Sequence, residues 1–75
     1  MNLQTRRNAA TRPLLTARQQ QVLSLLGEGL TTREIADRLP CAHATARNHV
    51  QAILSRLDCR SQLAAVLKAQ HLGLI

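Results

Sequence analysis

The chain has 75 residues, of which ten are Lys or Arg and four are Asp or Glu, so its formal charge is +6. A chain of this length forms one domain that buries only about 60% of its unfolded surface, which argues against elaborate enzymes and favours a simple fold. Because Phe, Tyr and Trp are absent, the core must consist of aliphatic side chains, as in packed helices rather than in a small β-barrel.

The excess of positive charge predicts a polyanionic partner, because nine of the ten cations are arginine. A merely soluble basic surface is the alternative. The chain has no run of about 18 apolar residues, so we expect no membrane span. The N-terminus has no apolar segment of signal-peptide length, and we therefore expect the protein in the cytoplasm. In that setting Cys41 and Cys59 are expected to be buried reduced thiols.

Residues 1–14 show no sustained helical or strand period and contain three arginines and a proline. They are predicted to form a flexible basic arm or linker, with the ordered domain spanning residues 15–75. The arm would add an electrostatic contact to DNA, or would be what remains of a linker between domains. These two interpretations are compatible.

Two capping boxes mark the first two helices of an all-α, four-helix domain. Thr16 with Gln19 begins a helix over residues 16–28, and Gly29 is the expected left-handed residue past its end. Thr31 with Glu34 begins a second helix over residues 32–39, which Pro40 ends.

The third and fourth helices are predicted over residues 43–57 and 61–71, the fourth with Ser61 as N-cap. On a helical wheel the third helix has an apolar arc and a separate polar arc. The polar arc comprises Arg47, Asn48, Gln51 and Ser55. A short helix, a turn of about four residues and a longer helix with a polar outer face form the helix-turn-helix pattern, so the third helix is the predicted recognition helix.

The segment LTARQQQVLSLLGEGLTTREIADRLPCAHATARNHVQAILSRLDCRS resembles the C-terminal DNA-binding domain of the LuxR/FixJ/NarL (GerE-like) family of bacterial transcriptional regulators. Its LTxR, VLxLL, EIAxxL, TxxxHVxxIL and RL elements keep the family's spacing. The resemblance implies a LuxR-type four-helix domain that places its third helix in the major groove of DNA.

The resemblance also implies roles for individual residues. The base-reading positions are Arg47, Asn48 and Gln51, and Arg to guanine is the commonest specific contact to a base. The phosphate-contacting positions are Thr32, Arg33, Thr45, His49 and Arg56. Several of these roles have alternatives. Arg47 could meet a phosphate instead of a base, Asn48 and Gln51 could be ordinary solvated polar residues, Thr32 could share the capping role, and His49 could be a packed structural histidine.

The chain departs from the family pattern at several positions. Gln19 replaces a usual Glu, Pro40 a common Phe or Leu, and Asp58 a frequent Gly. Ala42 replaces the Ser that usually caps the third helix, which removes about 1 kcal/mol of capping stabilisation. We therefore expect the start of the recognition helix to fray in the free protein.

Apolar residues of the fourth helix have two interpretations. Leu63, Val66 and Leu67 could all belong to the core of this small domain. Alternatively, one side of the helix could form a two-fold interface in a DNA-bound homodimer, and the residues predicted for that side are Ala64, Leu67, Lys68 and His71.

No cofactor, metal or catalytic site is predicted. Cys41, His43, His49 and Cys59 lack the paired spacing of a structural zinc site, and no nucleophile is placed beside a base. The predicted function is sequence-specific binding of double-stranded DNA as a dimer on two half-sites, with RNA polymerase as a further partner in activation. The alternatives are a helical protein-interaction module, such as an adaptor or anti-activator, and a σ-factor-like promoter-binding domain.

Overall fold

The computed structural model describes residues 14–75, which form four α-helices and no strand. We number these helices α1 (Ala17–Gly27), α2 (Thr32–Arg38), α3 (His43–Leu57) and α4 (Gln62–His71). The predicted all-α four-helix domain is confirmed, and each predicted boundary lies within one residue of the observed one. The arm predicted for residues 1–14 lies outside the described residues, apart from the exposed Leu14.

Both predicted capping boxes are present. The amide of Gln19 donates to Thr16 Oγ1 and the amide of Thr16 donates to Gln19 Oε1, each at a donor–acceptor distance of 3.0 Å. At α2, the amide of Glu34 donates to Thr31 Oγ1 over 3.1 Å and the amide of Thr31 donates to Glu34 Oε1 over 2.8 Å. Each pair satisfies two amides that the helix itself leaves free, which is why these two helices begin where the sequence predicted.

Left-handed residues follow three of the helices. Gly29 has a φ of +93° after α1, as predicted, Asp58 has a φ of +56° after α3, and Gly73 has a φ of +74° after α4. In each turn the amide of the residue after the left-handed one bonds back into the helix, from Leu30 to the Leu25 carbonyl, from Cys59 to the Leu54 carbonyl and from Leu74 to the Ala69 carbonyl. Asp58 therefore adopts a conformation that a glycine adopts at lower cost, at a position where the resembling family often has glycine.

Helix α3 is the centre of the domain, since it packs more extensively against each of the other three helices than they pack against one another. Its buried residues are Ala46, Val50, Ile53 and Leu57, all on the predicted apolar arc. The rest of the core comes from α1, α2 and α4, and comprises Val22, Leu23, Leu25, Leu26, Ile35, Ala36, Ala65 and Ala69. The core is therefore wholly aliphatic, as the composition required.

Helix α4 buries only two residues, the alanines Ala65 and Ala69. Leu63 is 68% exposed and Leu67 is 56% exposed, while Val66 is half-buried against the core. The interpretation of Leu63 and Leu67 as core residues is therefore wrong. Alanines facing the core allow α4 to approach its neighbours closely, which leaves the leucines of the opposite side in solvent.

The C-terminal residues pack back onto α1. Gln20 Nε2 donates to the carbonyl of Leu74 over 2.6 Å, and the amide of Leu74 donates to the carbonyl of Ala69 over 2.8 Å. A Cβ atom on Gly27 would lie 2.8 Å from Ile75 Cδ1, so the missing side chain of Gly27 makes room for the tail. The tail thus joins the last helix to the first.

Cys41 and Cys59 are both free thiols. The expectation that they are buried is wrong, because both are half-buried at the edge of the core. They lie in the segments that precede and follow α3, where the chain leaves the protected interior.

In the part of the chain that the structure describes, no helix is long and apolar enough to cross a membrane.

Candidate nucleic-acid interface

The side of α3 opposite the core carries the three residues predicted to read DNA bases. Arg47, Asn48 and Gln51 are all exposed, while Ala46 and Val50, their neighbours in sequence, are buried. Successive residues are 100° apart around a helix, so burial of one arc directs the other arc outward. Packing of the buried arc against the core therefore places one cationic and two amide side chains on the solvent-facing side of α3.

The residues predicted to contact phosphate lie around this surface on two helices. Thr32 and Arg33 are the first two residues of α2, and Thr45 is the third residue of α3. Arg33 and Thr45 are exposed, whereas Thr32 is half-buried. Further along α3, His49 is half-buried at the border of the apolar face and Arg56 is exposed in the last turn.

The structure brings the beginnings of α2 and α3 together through two side chains. Thr32 Oγ1 and His43 Nε2 lie 3.0 Å apart, within hydrogen-bonding distance. Thr31, not Thr32, provides the cap of α2, so the capping alternative for Thr32 is wrong. Within residues 14–75, the pair of Thr32 and His43 forms the one hydrogen bond between two side chains.

The contact between His43 and Thr32 was not predicted from the sequence, where His43 was considered only as a metal ligand. The available signal was the position of His43 as the first residue of the recognition helix. The turn joins the end of α2 to the start of α3, so whether the first residues of the two helices meet depends on the angle between the helices.

The connection between α2 and α3 is held by backbone hydrogen bonds. The amide of Cys41 donates to the carbonyl of Ala36 over 3.0 Å, which closes the end of α2. Ala42 is the N-cap of α3, with extended backbone angles of φ −67° and ψ 147° and no side-chain hydrogen bond. The predicted loss of a cap is therefore confirmed, and the first amides of α3 have no acceptor from the capping side chain.

The charges of α3 favour an anionic partner. Its sequence HATARNHVQAILSRL contains Arg47 and Arg56 and no acidic residue. On α2, Glu34 is held in the capping box, where the Thr31 amide that donates to it lowers the pKa of its carboxyl, with a smaller contribution from the charge of Arg38. A stably ionised Glu34 at the beginning of α2 strengthens the cap rather than opposing the positive face of α3.

The predicted dimerisation residues Ala64, Leu67, Lys68 and His71 are all exposed on α4. Leu63 lies on the same exposed side and enlarges its apolar area. Lys68 has an additional contact within the chain, since its Nζ donates to the backbone carbonyl of Leu57 over 2.7 Å.

Two other features that could form a site in residues 14–75 are a metal-binding cluster and a buried polar group. Among residues 14–75, no three His, Cys, Asp or Glu side chains group closely enough to hold a metal ion. The described core contains no buried polar or charged residue. The polar and charged side chains of the described residues thus lie at or near the surface, and the candidates for reading bases lie on α3.

Comparison with known proteins agrees with this geometry. The family described as "Bacterial regulatory proteins, luxR family" (GerE) matches residues 13–69. The spore germination protein GerE of Bacillus subtilis is 35% identical over 63 residues, which cover 84% of this chain and 85% of GerE. The structure of GerE superposes with a TM-score of 0.75 at 30% identity, covering 84% of this chain and 94% of that one.

Longer regulators contain a similar region as one part of their length. The transcriptional regulatory protein DesR of Bacillus subtilis is 34% identical over 59 residues, which cover 79% of this chain but 30% of DesR. The response regulator ChrA of a heme-sensing two-component system matches with a TM-score of 0.80 and 34% identity, covering 85% of this chain and 32% of ChrA. The chain therefore spans less than a third of DesR and most of GerE. It belongs to the luxR family of bacterial regulatory proteins, which are helix-turn-helix, DNA-binding regulators of transcription.

Proposed function

We propose that this chain binds double-stranded DNA sequence-specifically with α3 in the major groove, as the DNA-binding module of a bacterial transcriptional regulator. The observation that carries the proposal is the division of α3 into an aliphatic face that packs into the core and an exposed face with Arg47, Asn48 and Gln51. The major groove is wide enough to admit a helix, and its base edges pair with these side-chain types.

The exposed face of α3 is proposed to select the sequence. Arg47 donates two hydrogen bonds to guanine O6 and N7, and the amides of Asn48 and Gln51 pair with adenine. The phosphate contacts come from Thr32, Arg33, Thr45, His49 and Arg56. These contacts supply affinity and fix the position of α3 in the groove without reading sequence. The three arginines within residues 1–14 add to the electrostatic attraction.

We further propose that two copies bind together on two half-sites about one helical turn apart. The support is the exposed apolar side of α4, where Leu67 is 56% exposed beside Ala64, Lys68 and His71. Covering a surface leucine with a second copy is favourable, because it removes apolar area from water. RNA polymerase is a further proposed partner of the DNA-bound dimer in activation. The site of action is the cytoplasm, where bacterial DNA lies.

Selection of bound duplexes from random DNA tests the proposal. It is expected to enrich a two-fold symmetric sequence whose half-sites are about one turn, roughly 10 base pairs, apart. Enrichment of a single half-site would contradict the dimer and retain the DNA-binding function. Failure to enrich any sequence would contradict sequence-specific binding and favour a protein-interaction module.

A further inference from the structure

The hydroxyl of Thr32 can either donate to His43 or accept from it, depending on which ring nitrogen of His43 carries a hydrogen. A threonine hydroxyl has one proton to donate and lone pairs to accept with. The 3.0 Å contact to His43 Nε2 uses that proton if the ring nitrogen is unprotonated, and uses a lone pair if the ring nitrogen carries a hydrogen. Only in the second case does Thr32 keep its proton for another acceptor.

Thr32 and His43 also occupy corresponding positions in their helices. Both are half-buried and each is the first residue of its helix. Near its start, α3 receives no side-chain cap from Ala42, so the contact of its first residue with α2 is a side-chain tether at this end. The contact therefore links the start of the recognition helix to the Thr32 hydroxyl.

We infer that His43 is a positioning residue for DNA binding: in the complex its Nε2–H donates to Thr32 Oγ1, and Thr32 donates its own proton to a backbone phosphate. The inference rests on the proposed function, specifically on the phosphate contact assigned to Thr32. It adds a role for a residue to which the family resemblance gave none. A phosphate oxygen is an acceptor only, so a Thr32 hydroxyl that faces it must be the donor, and this requires a hydrogen on His43 Nε2.

The most direct measurement is a long-range ¹H–¹⁵N spectrum of the histidine rings of the unmodified protein bound to a mixed-sequence DNA duplex. A mixed sequence suffices because phosphate contacts do not depend on the bases. The inference predicts that His43 in the complex carries a hydrogen on Nε2. A neutral ring with its hydrogen on Nδ1 alone would overturn it, because Thr32 would then be the donor to His43.

Binding constants of matched variants provide the second measurement. His43→Leu removes the ring nitrogens, Thr32→Val removes the hydroxyl at nearly constant shape, and His43→Gln returns an amide donor near the position of Nε2. His43→Leu and Thr32→Val are each expected to weaken binding of the duplex about tenfold, the scale of one hydrogen bond to a charged group. His43→Gln is expected to recover most of the loss, and His43→Leu is expected to have little effect in a Thr32→Val background.

A control separates this role from loss of stability. Thr16→Val removes a threonine hydroxyl that accepts from the Gln19 amide at the start of α1, so it should lower stability and leave DNA binding unchanged. Additive losses of affinity for the Thr32 and His43 variants would overturn the inference, and so would equal losses for His43→Leu and His43→Gln. If the wild-type protein binds DNA in the same experiment, the proposed function stands in either case. No binding by the wild-type protein would instead contradict the proposed function, and the inference with it.

Discussion

Lys68 donates from Nζ to the backbone carbonyl of Leu57 over 2.7 Å, which links the last turn of α4 to the last residue of α3. A cation at this position also interacts favourably with the negative end of the α3 dipole. The helix proposed to bind a second copy is thereby connected directly to the helix proposed to read DNA. A two-fold contact through α4 would fix the distance and angle between two recognition helices.

Replacement of Arg47 by Ala is expected to weaken specific DNA binding by roughly 1–3 kcal/mol, the value of a bidentate contact to a base. The fold should be nearly as stable as before, because Arg47 is exposed. Fluorescence anisotropy with the selected duplex measures the first effect, and urea denaturation measures the second. The matched control is Arg18→Ala, which removes the same charge from the exposed surface of α1. An equal loss for both variants would mean that Arg47 contributes only charge.

Replacement of Ala42 by Ser is expected to stabilise the domain by about 1 kcal/mol, the usual value of an N-cap hydrogen bond. Ala42 already has the extended backbone angles of a capping residue, so the new hydroxyl can accept from an early amide of α3 without rearrangement. Urea denaturation with an unchanged m-value checks this. Ala44→Ser, one residue inside the first turn of the helix, is the control and should give no stabilisation. An unstable Ala42→Ser variant would contradict the assigned start of α3.

Replacement of Leu67 by Glu should leave the monomer within about 0.5 kcal/mol of its original stability, as for other exposed positions. It is expected to weaken the DNA-bound dimer by about 0.8–1.7 kcal/mol per copy, because Leu67 is 56% exposed in the monomer and can gain only that share of the value of burying a whole leucine side chain. Sedimentation of the protein on duplexes with one or two half-sites measures this effect. Leu14→Glu changes a leucine that is 80% exposed and lies outside α4, and should leave dimer formation unaffected. Unchanged cooperativity in Leu67→Glu would contradict the proposed interface.

Glu34 is expected to make stability depend on pH. The Thr31 amide that donates to its carboxylate lowers the pKa of this group in the folded protein below the ordinary value of 4.5. A lowered pKa means that the contribution of Glu34 to stability is complete above the ordinary glutamate range and is lost as the pH falls through the lowered value.

The variant Glu34→Gln isolates this effect from the other carboxyl groups. A glutamine can still accept in the capping box, but it carries no charge to titrate. Urea denaturation from neutral pH into the acid range should show the wild type as the more stable protein at neutral pH and the two as converging in acid. A stability difference that stays constant with pH would show that ionised Glu34 does not strengthen the cap.

The helix boundaries could be predicted because their causes are local. Thr16 and Gln19, or Thr31 and Glu34, are three residues apart in the chain, and their hydrogen bonds require no knowledge of the rest of the fold. The faces of α3 were predictable for the same reason, since the spacing of Ala46, Val50, Ile53 and Leu57 specifies one side of a helix.

Contacts between elements were harder to predict. Leu63 and Leu67 have a helical spacing that is equally typical of a core and of an interface, and only the packing of Ala65 and Ala69 shows which side faces inward. The contact between Thr32 and His43 likewise depends on the angle between two helices, which no periodicity in the sequence encodes. Predicted roles on DNA rest on the family resemblance together with the exposure of each side chain.

The most direct test of the central claim is a titration of the selected duplex, and of a shuffled duplex of equal length, at increasing salt concentration. Binding through the arginines and α3 predicts a saturable complex with a clear preference for the selected sequence. It also predicts an affinity that falls steeply as salt rises, because phosphate contacts release counterions. An affinity that is independent of salt, or equal for the two duplexes, would contradict sequence-specific DNA binding by this domain.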